Sequence, residues 1–533
     1  MMRRLRFLKH ILYLSKSPLG SILMIKMKRE SQMNEYDLTI IGGGSAGLVL
    51  AVAGAKLGVK TALVEKHRLG GDCLWTGCVP SKAILKSAKI AHYIKEAEKY
   101  GILVKDSQVD FGRVMAYVRS TQHIIEEEHD NPERFREMGV DVIFGEGHFE
   151  SPGTFVVQDT ENDQTLTLKS KKFVVTTGSR PTPPQIPGID SIDYLDSENV
   201  WELDQLPERL LVIGAGPIGI ELGQAFHRLG AKVTIAQRSD RILTKEDIEV
   251  SEKMLSYLRE DGVEILLNTN PVQVDRIDAP LSEELNPDIA VWEPQSTEAS
   301  EEYRVQLKAT DTGDEREIVV DRILIAAGRK PNIEGLGLEK IGVKVGKQGV
   351  EVNNKLQTTV KNIYAAGDVV GHYLFTHVAA FQATQIVRNI FFPGSSAINY
   401  SVVPWTTFCD PEVARCGLTE AEAREEHGKV DVFRVDLHDV DRAVAEGETK
   451  GFIKVVATRW KGKILGVHLV GSSAGEVIHE FVLAMSAGIP LRKLAGIIHV
   501  YPTFSSIVWR VSGKWLAEGT LIQTLRGVFK KGK

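Results

Sequence analysis

One short pattern occurs twice in this chain, and few folds can accommodate it. The apolar run DLTII at 37–41 leads into Gly42-Gly43-Gly44-Ser45-Ala46-Gly47 and then into an Ala- and Leu-rich stretch. RLLVIG leads in the same way into Gly214-Ala215-Gly216-Pro217-Ile218-Gly219. Each copy predicts a buried strand, a glycine turn, a helix and a second strand, KTALVE in the first and AKVTIAQR in the second. In such a unit the first glycine (Gly42, Gly214) permits the tight turn, and the second (Gly44, Gly216) lets a pyrophosphate approach the backbone. The third (Gly47, Gly219) lets helix and strand pack closely, and the helix N-terminus favours the phosphate charge. A lone glycine turn would say little. Repeated, and flanked each time by strand and helix, it predicts an α/β chain with two Rossmann-like dinucleotide sites.

The two copies differ at one position. The second strand of the first unit ends at Glu65, eighteen residues past Gly47, where a carboxylate can accept hydrogen bonds from a ribose diol. Eighteen residues past Gly219 stands Gln237, with Arg238 next and Arg241 close by. An acid would repel a 2′-phosphate, whereas a neutral residue beside arginines accommodates one. The first site is therefore expected to take an unphosphorylated adenosine ribose, and the second to prefer NADPH. The alternative is that both arginines are solvated surface charges and NADH serves equally well. Two nucleotide units in one chain suggest an electron relay between two cofactors.

Three further segments fit such a relay. VVTTGSRP from Val174 reads as a strand leaving a nucleotide domain, and ILIAAGRKPN from Ile323 as its counterpart after the second unit. NIYAAGD, ending at Asp368, is an apolar strand that stops at an acid. The first nucleotide domain thus reads as discontinuous, 34–188 with 321–395, and the second, 189–320, as inserted within it. Inside the insert, residues 279–303 are acidic, Pro-punctuated and aperiodic, which predicts an exposed loop without chemistry.

Composition sets the outer bounds. A chain of 533 residues has room for three or four domains of ~100–200 residues each. With 43% apolar and 25% charged residues it is ordinary soluble globular material, not a disordered chain, a collagen or a coiled coil. Four cysteines are too few for a disulfide-stapled secreted scaffold, and a net charge of −5 gives no reason to expect nucleic acid. Residues 1–29 hold eight Lys or Arg and no acid, and bases interrupt every apolar cluster. That is too broken for a membrane span, which needs ~20 mostly apolar residues, and poor for a secretory signal. Met24, Met27 and Met33 favour reading the extension, 1–33, as a start placed too far upstream. A basic surface or membrane-leaning arm and an organelle presequence are the alternatives. No later stretch reaches membrane-spanning length, so a soluble, cytoplasmic body with a basic tail at 521–533 is expected.

The cysteines fall in two pairs. Cys73-Leu74-Trp75-Thr76-Gly77-Cys78 follows Gly70-Gly71-Asp72 and precedes Val79-Pro80-Ser81-Lys82. Zinc would want two further ligands nearby, and neither a CxxC nor a His cluster is there. Two merely buried thiols sit badly beside a glycine-rich turn that leads into a predicted helix. A thiol at a helix N-terminus forms its thiolate more readily, which suits a dithiol that opens and closes in each turnover.

GGDCLWTGCVPSK is similar to the redox-active segment of the flavin-dependent pyridine nucleotide–disulfide oxidoreductases, which include dihydrolipoamide dehydrogenase, glutathione reductase and mercuric reductase. The resemblance covers about residues 36–517, with the segments above in family order. It implies FAD in the first unit, NAD(P)H in the second, and an α+β C-terminal interface domain, 396–520, that forms a homodimer. The partner's C-terminal domain would complete the active site. By the same resemblance Cys78 is the flavin-side thiol that makes the charge-transfer contact, and Cys73 is the exchange thiol facing substrate. Lys82 is expected to pair with Glu221, in the helix after the second glycine turn, beside the flavin ring. The lysine would favour negative charge on the reduced flavin and the glutamate would keep it in place. Thr177, Gly178 and Asp368 are assigned to FAD, Asp368 to its ribityl or pyrophosphate part, and Gly328 to the NAD(P) site.

The chain departs from the family pattern at one functional segment. Thiol-reducing members supply His-Pro-Thr-x-x-Glu from the partner subunit, the histidine shuttling protons for the exchange thiol and the glutamate orienting it. Here the stretch is Tyr501-Pro502-Thr503-Phe504-Ser505-Ser506. A phenol with a reference pKa of ~10 is a poor base near neutrality, so proton transfer to a leaving thiolate should suffer by roughly 10²–10⁴. His499, two residues earlier, is not the motif's histidine, but on a continuing strand or turn it would share Tyr501's side and is then a candidate substitute. Mercuric reductases resemble this chain in placing a tyrosine there, where it can help hold a soft metal against thiolates. They also carry a C-terminal cysteine pair, which LIQTLRGVFKKGK lacks, and this chain has no N-terminal CxxC domain. Cys409 and Cys416, in VPWTTFCDPEVARCG, have no metal-ligand spacing and read as buried small hydrophobes.

Mercuric-reductase-like reduction of a metal ion or a soft thiol-bound electrophile is therefore the first reading. A dihydrolipoamide-dehydrogenase-like disulfide reductase is the second, and a low-turnover redox-sensing or scaffold flavoprotein the third. No resident metal is expected.

Overall fold

The computed structural model describes residues 32–277 and 302–531. Nearly all of the basic extension expected at 1–33, and most of the loop expected at 279–303, lie outside the described residues. Two residues of that loop do not. Glu302 and Tyr303 open the strand Glu302–Ala309, and Tyr303 is fully buried. Local polarity misleads there because one large ring, clustered with Val274, Val305 and Leu307, outweighs its acidic neighbours.

The chain divides into two compact units. The first comprises residues through Gly71, His129–Ser179 and Pro331–Ile398. Its parallel sheet runs in the order Ile363–Ala365, Gln164–Val175, Gln32–Ile41, Thr61–Glu65, Val140–Ser151. Thr154–Asp159 pairs antiparallel with both Val140–Ser151 and Gln164–Val175. Leu63 belongs to the cluster with Leu50 and Ala383, while its neighbours Ala62 and Val64 belong to the one with Phe149 and Phe173. That alternation is the two-residue period of a strand buried on both faces, which is why these strands read as continuous apolar runs. The first strand starts at Gln32, ahead of the apolar run, because residues 32–36 extend the parallel pairing with 166–170.

The second unit comprises Asp72–Glu128, Arg180–Lys330 and the chain from Asn399 onward. It repeats the strand order in a smaller parallel sheet: Arg322–Ile325, Arg209–Ile213, Lys232–Ala236, Glu264–Leu266. In both units the strand before the glycine turn has, on one side, the strand that follows its helix. On the other side it has a strand returning from far along the chain. Five antiparallel strands follow Asn399, in the order Pro404–Thr407, Glu412–Gly417, Ile464–Gly471, Phe452–Thr458, Val430–Asp436. Residues of the helices Ala474–Ser486 and Ser506–Glu518 share their core. Two Rossmann-like sheets and an α+β C-terminal domain thus make up the fold. The basic tail is helical as far as it is described, Thr520–Lys531, with Leu521 and Ile522 packed on the core that holds Trp515. No helix of the described residues is long and apolar enough to cross a membrane.

One group in the antiparallel sheet ties stability to pH. His468 is fully buried, its Nε2 lies 3.1 Å from the Leu418 carbonyl oxygen, and its Nδ1 has no hydrogen-bond partner. Burial first, then the Arg415 guanidinium, hold its pKa down at about 4. The unfolded chain, with an ordinary imidazole near ~6.5, takes up this proton first as pH falls. The neutral ring's contribution is therefore complete above pH ~6.5 and is lost on acidification towards about 4, a change of ~3 kcal/mol. His468→Gln should flatten this part of the slope in urea midpoints taken at about pH 7.5 and about pH 4.5. Equal slopes in variant and wild type would refute it.

Candidate active site

In the first unit, packing demands glycine at two positions of the turn and leaves the middle one open. Gly42 has φ +107°, and a Cβ there would lie 2.5 Å from the Thr176 carbonyl oxygen. A Cβ at Gly47 would lie 2.0 Å from the Gly42 carbonyl oxygen. At Gly44 a Cβ would meet only Gly71 Cα, at 3.9 Å. The fold does not need glycine there, but a pyrophosphate against the backbone does. The helix Ser45–Lys56 has no acid in its first turn and no side-chain cap, so its N–H groups suit a phosphate. Glu65 ends its strand with Oε2 accepting from the Gly43 N–H at 2.6 Å and Oε1 from the His67 N–H at 2.8 Å.

Thr177 and Gly178 follow the strand Gln164–Val175 and are held by Asn332. Thr177 Oγ1 donates to the Asn332 carbonyl at 2.6 Å, Asn332 Nδ2 donates back to the Thr177 carbonyl at 2.9 Å, and the Asn332 N–H reaches the Gly178 carbonyl at 2.9 Å. Asp368 opens the turn after Ile363–Ala365 and accepts from Ser179 Oγ at 2.7 Å. These residues fit FAD: an open glycine backbone for the pyrophosphate, an uncapped helix start, and a carboxylate at the end of the next strand.

The second unit repeats the cradle with one change. Cβ atoms at Gly214 and Gly219 would lie 2.8 Å from the Ala326 carbonyl oxygen and 1.9 Å from the Gly214 carbonyl oxygen, while one at Gly216 would meet nothing within 4 Å. Gln237 Oε1 accepts from the Ala215 N–H at 3.0 Å, the bond that Glu65 makes with Gly43. Its amide nitrogen donates to the Arg241 carbonyl at 3.2 Å. Glutamine thus keeps the backbone bond and drops the charge. Arg238 is exposed, and Arg241 donates to the Thr244 carbonyl at 2.8 Å. The Gly328 carbonyl accepts from the Thr182 N–H at 3.1 Å. These residues fit a pyridine nucleotide.

The Cys73 and Cys78 pair spans the end of one helix and the start of the next. Cys73 is half-buried in the helix Gly71–Trp75, and Cys78 is exposed as the first residue of Cys78–Glu96, whose first turn carries no acid. Three side chains distant in the sequence fix the segment from Asp72 to Thr76. Gln122 Nε2 donates to the carbonyls of Leu74 at 3.2 Å and Trp75 at 2.8 Å, Trp201 Nε1 to that of Thr76 at 3.1 Å, and Arg329 pairs with Asp72 at 3.1 Å. Gln122 did leave a readable trace. It continues the buried stripe Phe111, Met115, Val118, where helical period calls for an apolar residue.

The structure brings Lys82 and Glu221 together. Lys82 Nζ donates to Glu221 Oε2 at 2.8 Å and to Ser81 Oγ at 3.2 Å, and lies 4.3 Å from the centroid of the Phe408 ring. Glu221 is buried, and its Oε1 accepts from the Phe408 N–H at 2.8 Å. Sequence reasoning missed Phe408.

Tyr501 is exposed, and its hydroxyl donates to Asp441 at 2.9 Å. That hydrogen bond, with the carboxylate charge, pushes the phenol above its ordinary range, so still less of it is ionised and able to take a proton near neutrality. His499 does not share its side. Its side chain is turned in, with Nε2 3.0 Å from Glu480 Oε1 and Nδ1 3.0 Å from the Ile497 carbonyl oxygen. Residues 498–500 are not a strand, so the alternation that would have aligned the two side chains does not hold. Cys409 and Cys416 are buried, and burial pushes both thiols up, Cys416 to about 12.

The pattern of the family described as pyridine nucleotide-disulphide oxidoreductase matches residues 36–383, and that of its dimerisation domain residues 403–511. A mercuric reductase of Lysinibacillus sphaericus is 34% identical over 493 residues, covering 90% of this chain and 84% of the relative. A dihydrolipoyl dehydrogenase of Bacillus subtilis strain 168 is 32% identical over 484 residues, 89% of this chain and 96% of the relative. Among solved structures, the HOCl-induced flavoprotein disulfide reductase RclA from Escherichia coli aligns with a TM-score of 0.76 at 27% identity, over 90% of this chain and 99% of that one. Matches that span both nucleotide cradles, the cysteine pair and the antiparallel domain leave no large part of the described fold outside them, and the chain belongs to the pyridine nucleotide-disulphide oxidoreductase family.

Proposed function

We propose that the protein is a homodimer that passes electrons from NADPH through FAD to the Cys73–Cys78 pair and on to a soft, thiol-binding acceptor such as a metal ion. That it is a flavoprotein disulfide oxidoreductase follows from its family. Bound FAD supplies the two-electron transfer between pyridine nucleotide and disulfide. On the protein side, one hydride equivalent brings two electrons and one proton, breaking the Cys73–Cys78 bond to leave one thiol and one thiolate. Cys78, at the start of its helix with no acid in the first turn, is assigned the thiolate. Cys73 is assigned to the acceptor. Passing two electrons on re-forms the sulfur–sulfur bond and releases the proton. Lys82 holds a positive charge for the reduced flavin, and buried Glu221 fixes its direction.

Tyr501 carries the choice of acceptor. It stands where thiol-reducing members place a histidine, and its phenol, donated to Asp441, is unsuited to take a proton near neutrality. An acceptor that needs a protonated thiol leaving group is disfavoured, whereas a soft metal held by thiolates needs no such base. Reduced enzyme presented in stopped flow with mercuric ion, lipoamide, glutathione disulfide, quinone and oxygen should turn over mercuric ion at least ~10²-fold faster than lipoamide. The reverse order would refute the assignment. It would favour instead a dihydrolipoamide-dehydrogenase-like reductase, the second reading, which the identity with the Bacillus subtilis relative supports.

The NADPH preference rests on Gln237 and Arg238. Gln237→Glu combined with Arg238→Ala should shift the NADPH-to-NADH ratio of kcat/KM towards NADH by ~10–100-fold, the worth of a charge-assisted hydrogen bond to the 2′-phosphate. A wild-type enzyme that already favours NADH would overturn this part.

A further inference from the structure

We infer that Phe408 is a positioning residue for the Lys82–Glu221 pair, and that the dimerisation domain acts on the redox residues through it. Phe408 touches both members of the pair with different groups: its N–H donates to Glu221 Oε1 at 2.8 Å, and its ring faces Lys82 Nζ at 4.3 Å. The ammonium therefore has a carboxylate, the Ser81 hydroxyl and an aromatic face around it.

The residues just after Phe408 hold it in place. The Asp410 N–H donates to Gln224 Oε1 and Gln224 Nε2 donates back to the Asp410 carbonyl, both at 2.7 Å. The Asp410 carboxylate binds Arg228 at 2.6 Å and Lys89 at 3.3 Å. Burial alone would raise this carboxyl, but Lys89 and Arg228 hold it below its ordinary range. Glu221, Gln224 and Arg228 fall on one face of the helix Pro217–Leu229, and Lys82 and Lys89 lie two turns apart on Cys78–Glu96. Residues 408–410 thus fasten the helix bearing Glu221 to the helix bearing Cys78 and Lys82. They directly follow Pro404–Thr407, the edge strand of the antiparallel sheet.

A cavity of about 170 Å³ adjoins these contacts, lined by Lys82, Gln224, Arg228 and Phe408 among others. If the ring is cut back, Lys82 keeps Glu221 but gains room to swing away. This inference rests on the proposed role of Lys82, favouring negative charge on the reduced flavin.

The test uses FAD-loaded protein carrying Cys73→Ser and Cys78→Ser, so that the flavin alone titrates, and reads its midpoint potential against a reference dye. Phe408→Leu should shift the equilibrium against reduced flavin by roughly two- to thirtyfold, the range of a partly desolvated cation–π contact. Phe408→Tyr should stay within about twofold of the parent, since its ring is retained. Gln224→Leu, which removes both backbone bonds at Asp410 without changing any charge, should shift the equilibrium the same way, and carries the test if Phe408→Leu fails to retain FAD. Parental potentials in both variants, with Lys82→Met clearly shifted, would overturn the inference and leave the proposed function standing. An unshifted Lys82→Met would overturn both.

Discussion

Cys78→Ser should retain FAD and still accept electrons from NADPH, yet lose turnover of thiol-bound acceptors by ~10³-fold or more. A serine hydroxyl can form no sulfur–sulfur bond, so the electrons have nowhere to go beyond the flavin. The variant should also lack the long-wavelength absorption that a thiolate donor gives to oxidised flavin. Cys73→Ser should be equally inactive while keeping that absorption, because the thiolate assigned to Cys78 remains. The two spectra therefore separate roles that turnover alone cannot. Persistence of the band in Cys78→Ser, or its loss in Cys73→Ser only, would reverse the assignment. Cys409→Ser and Cys416→Ser should leave the band intact, since both thiols are buried and pushed away from ionisation.

Alanine substitutions in the two glycine cradles should give the second large effect, split by position. Gly219→Ala puts a methyl 1.9 Å from the Gly214 carbonyl oxygen, so helix and turn must separate. Expected results are a clear drop in thermal midpoint and loss of NADPH-dependent flavin reduction, overpacking of this kind costing ~1–3 kcal/mol or more. Gly47→Ala, with 2.0 Å to the Gly42 carbonyl oxygen, should yield colourless protein for the same reason. Gly216→Ala meets no protein atom within 4 Å. It should melt like the wild type and raise the KM for NADPH by ~10-fold or more, because only the nucleotide's charged contacts are displaced. If Gly216→Ala unfolds the protein as readily as Gly219→Ala, the open space is not a nucleotide cradle.

Much of this architecture is legible in the residues alone. Glycines in strand–turn–helix context foretell two matching sheets because their spacing is dictated by backbone contacts a few residues apart, such as Gly47 against Gly42. Lys82 and Glu221, separated by 139 positions, are paired only through the family resemblance. Phe408 is invisible because it contributes a ring face and a backbone N–H, and neither leaves a mark in residue type or period. Gln122 and Trp201 reach their carbonyls over dozens of positions or more, and Arg329 reaches Asp72 over 257. Such contacts are set by tertiary packing. His499 fails for a different reason: strand alternation does not apply to a segment that is not a strand.

The shared backbone bond at Glu65 and Gln237 has a consequence for how coenzyme choice can change over time. The two side chains are the same size and accept from the same N–H position of their respective turns, Gly43 and Ala215. The second polar atom of each is matched to its own loop, Glu65 Oε1 accepting from the His67 N–H and the Gln237 amide nitrogen donating to the Arg241 carbonyl. An exchange at either position would set like groups face to face, so residue and loop must change together. If the proposed preference holds, a descendant of this chain would change electron donors only by altering residue 237 together with the loop that carries Arg238 and Arg241.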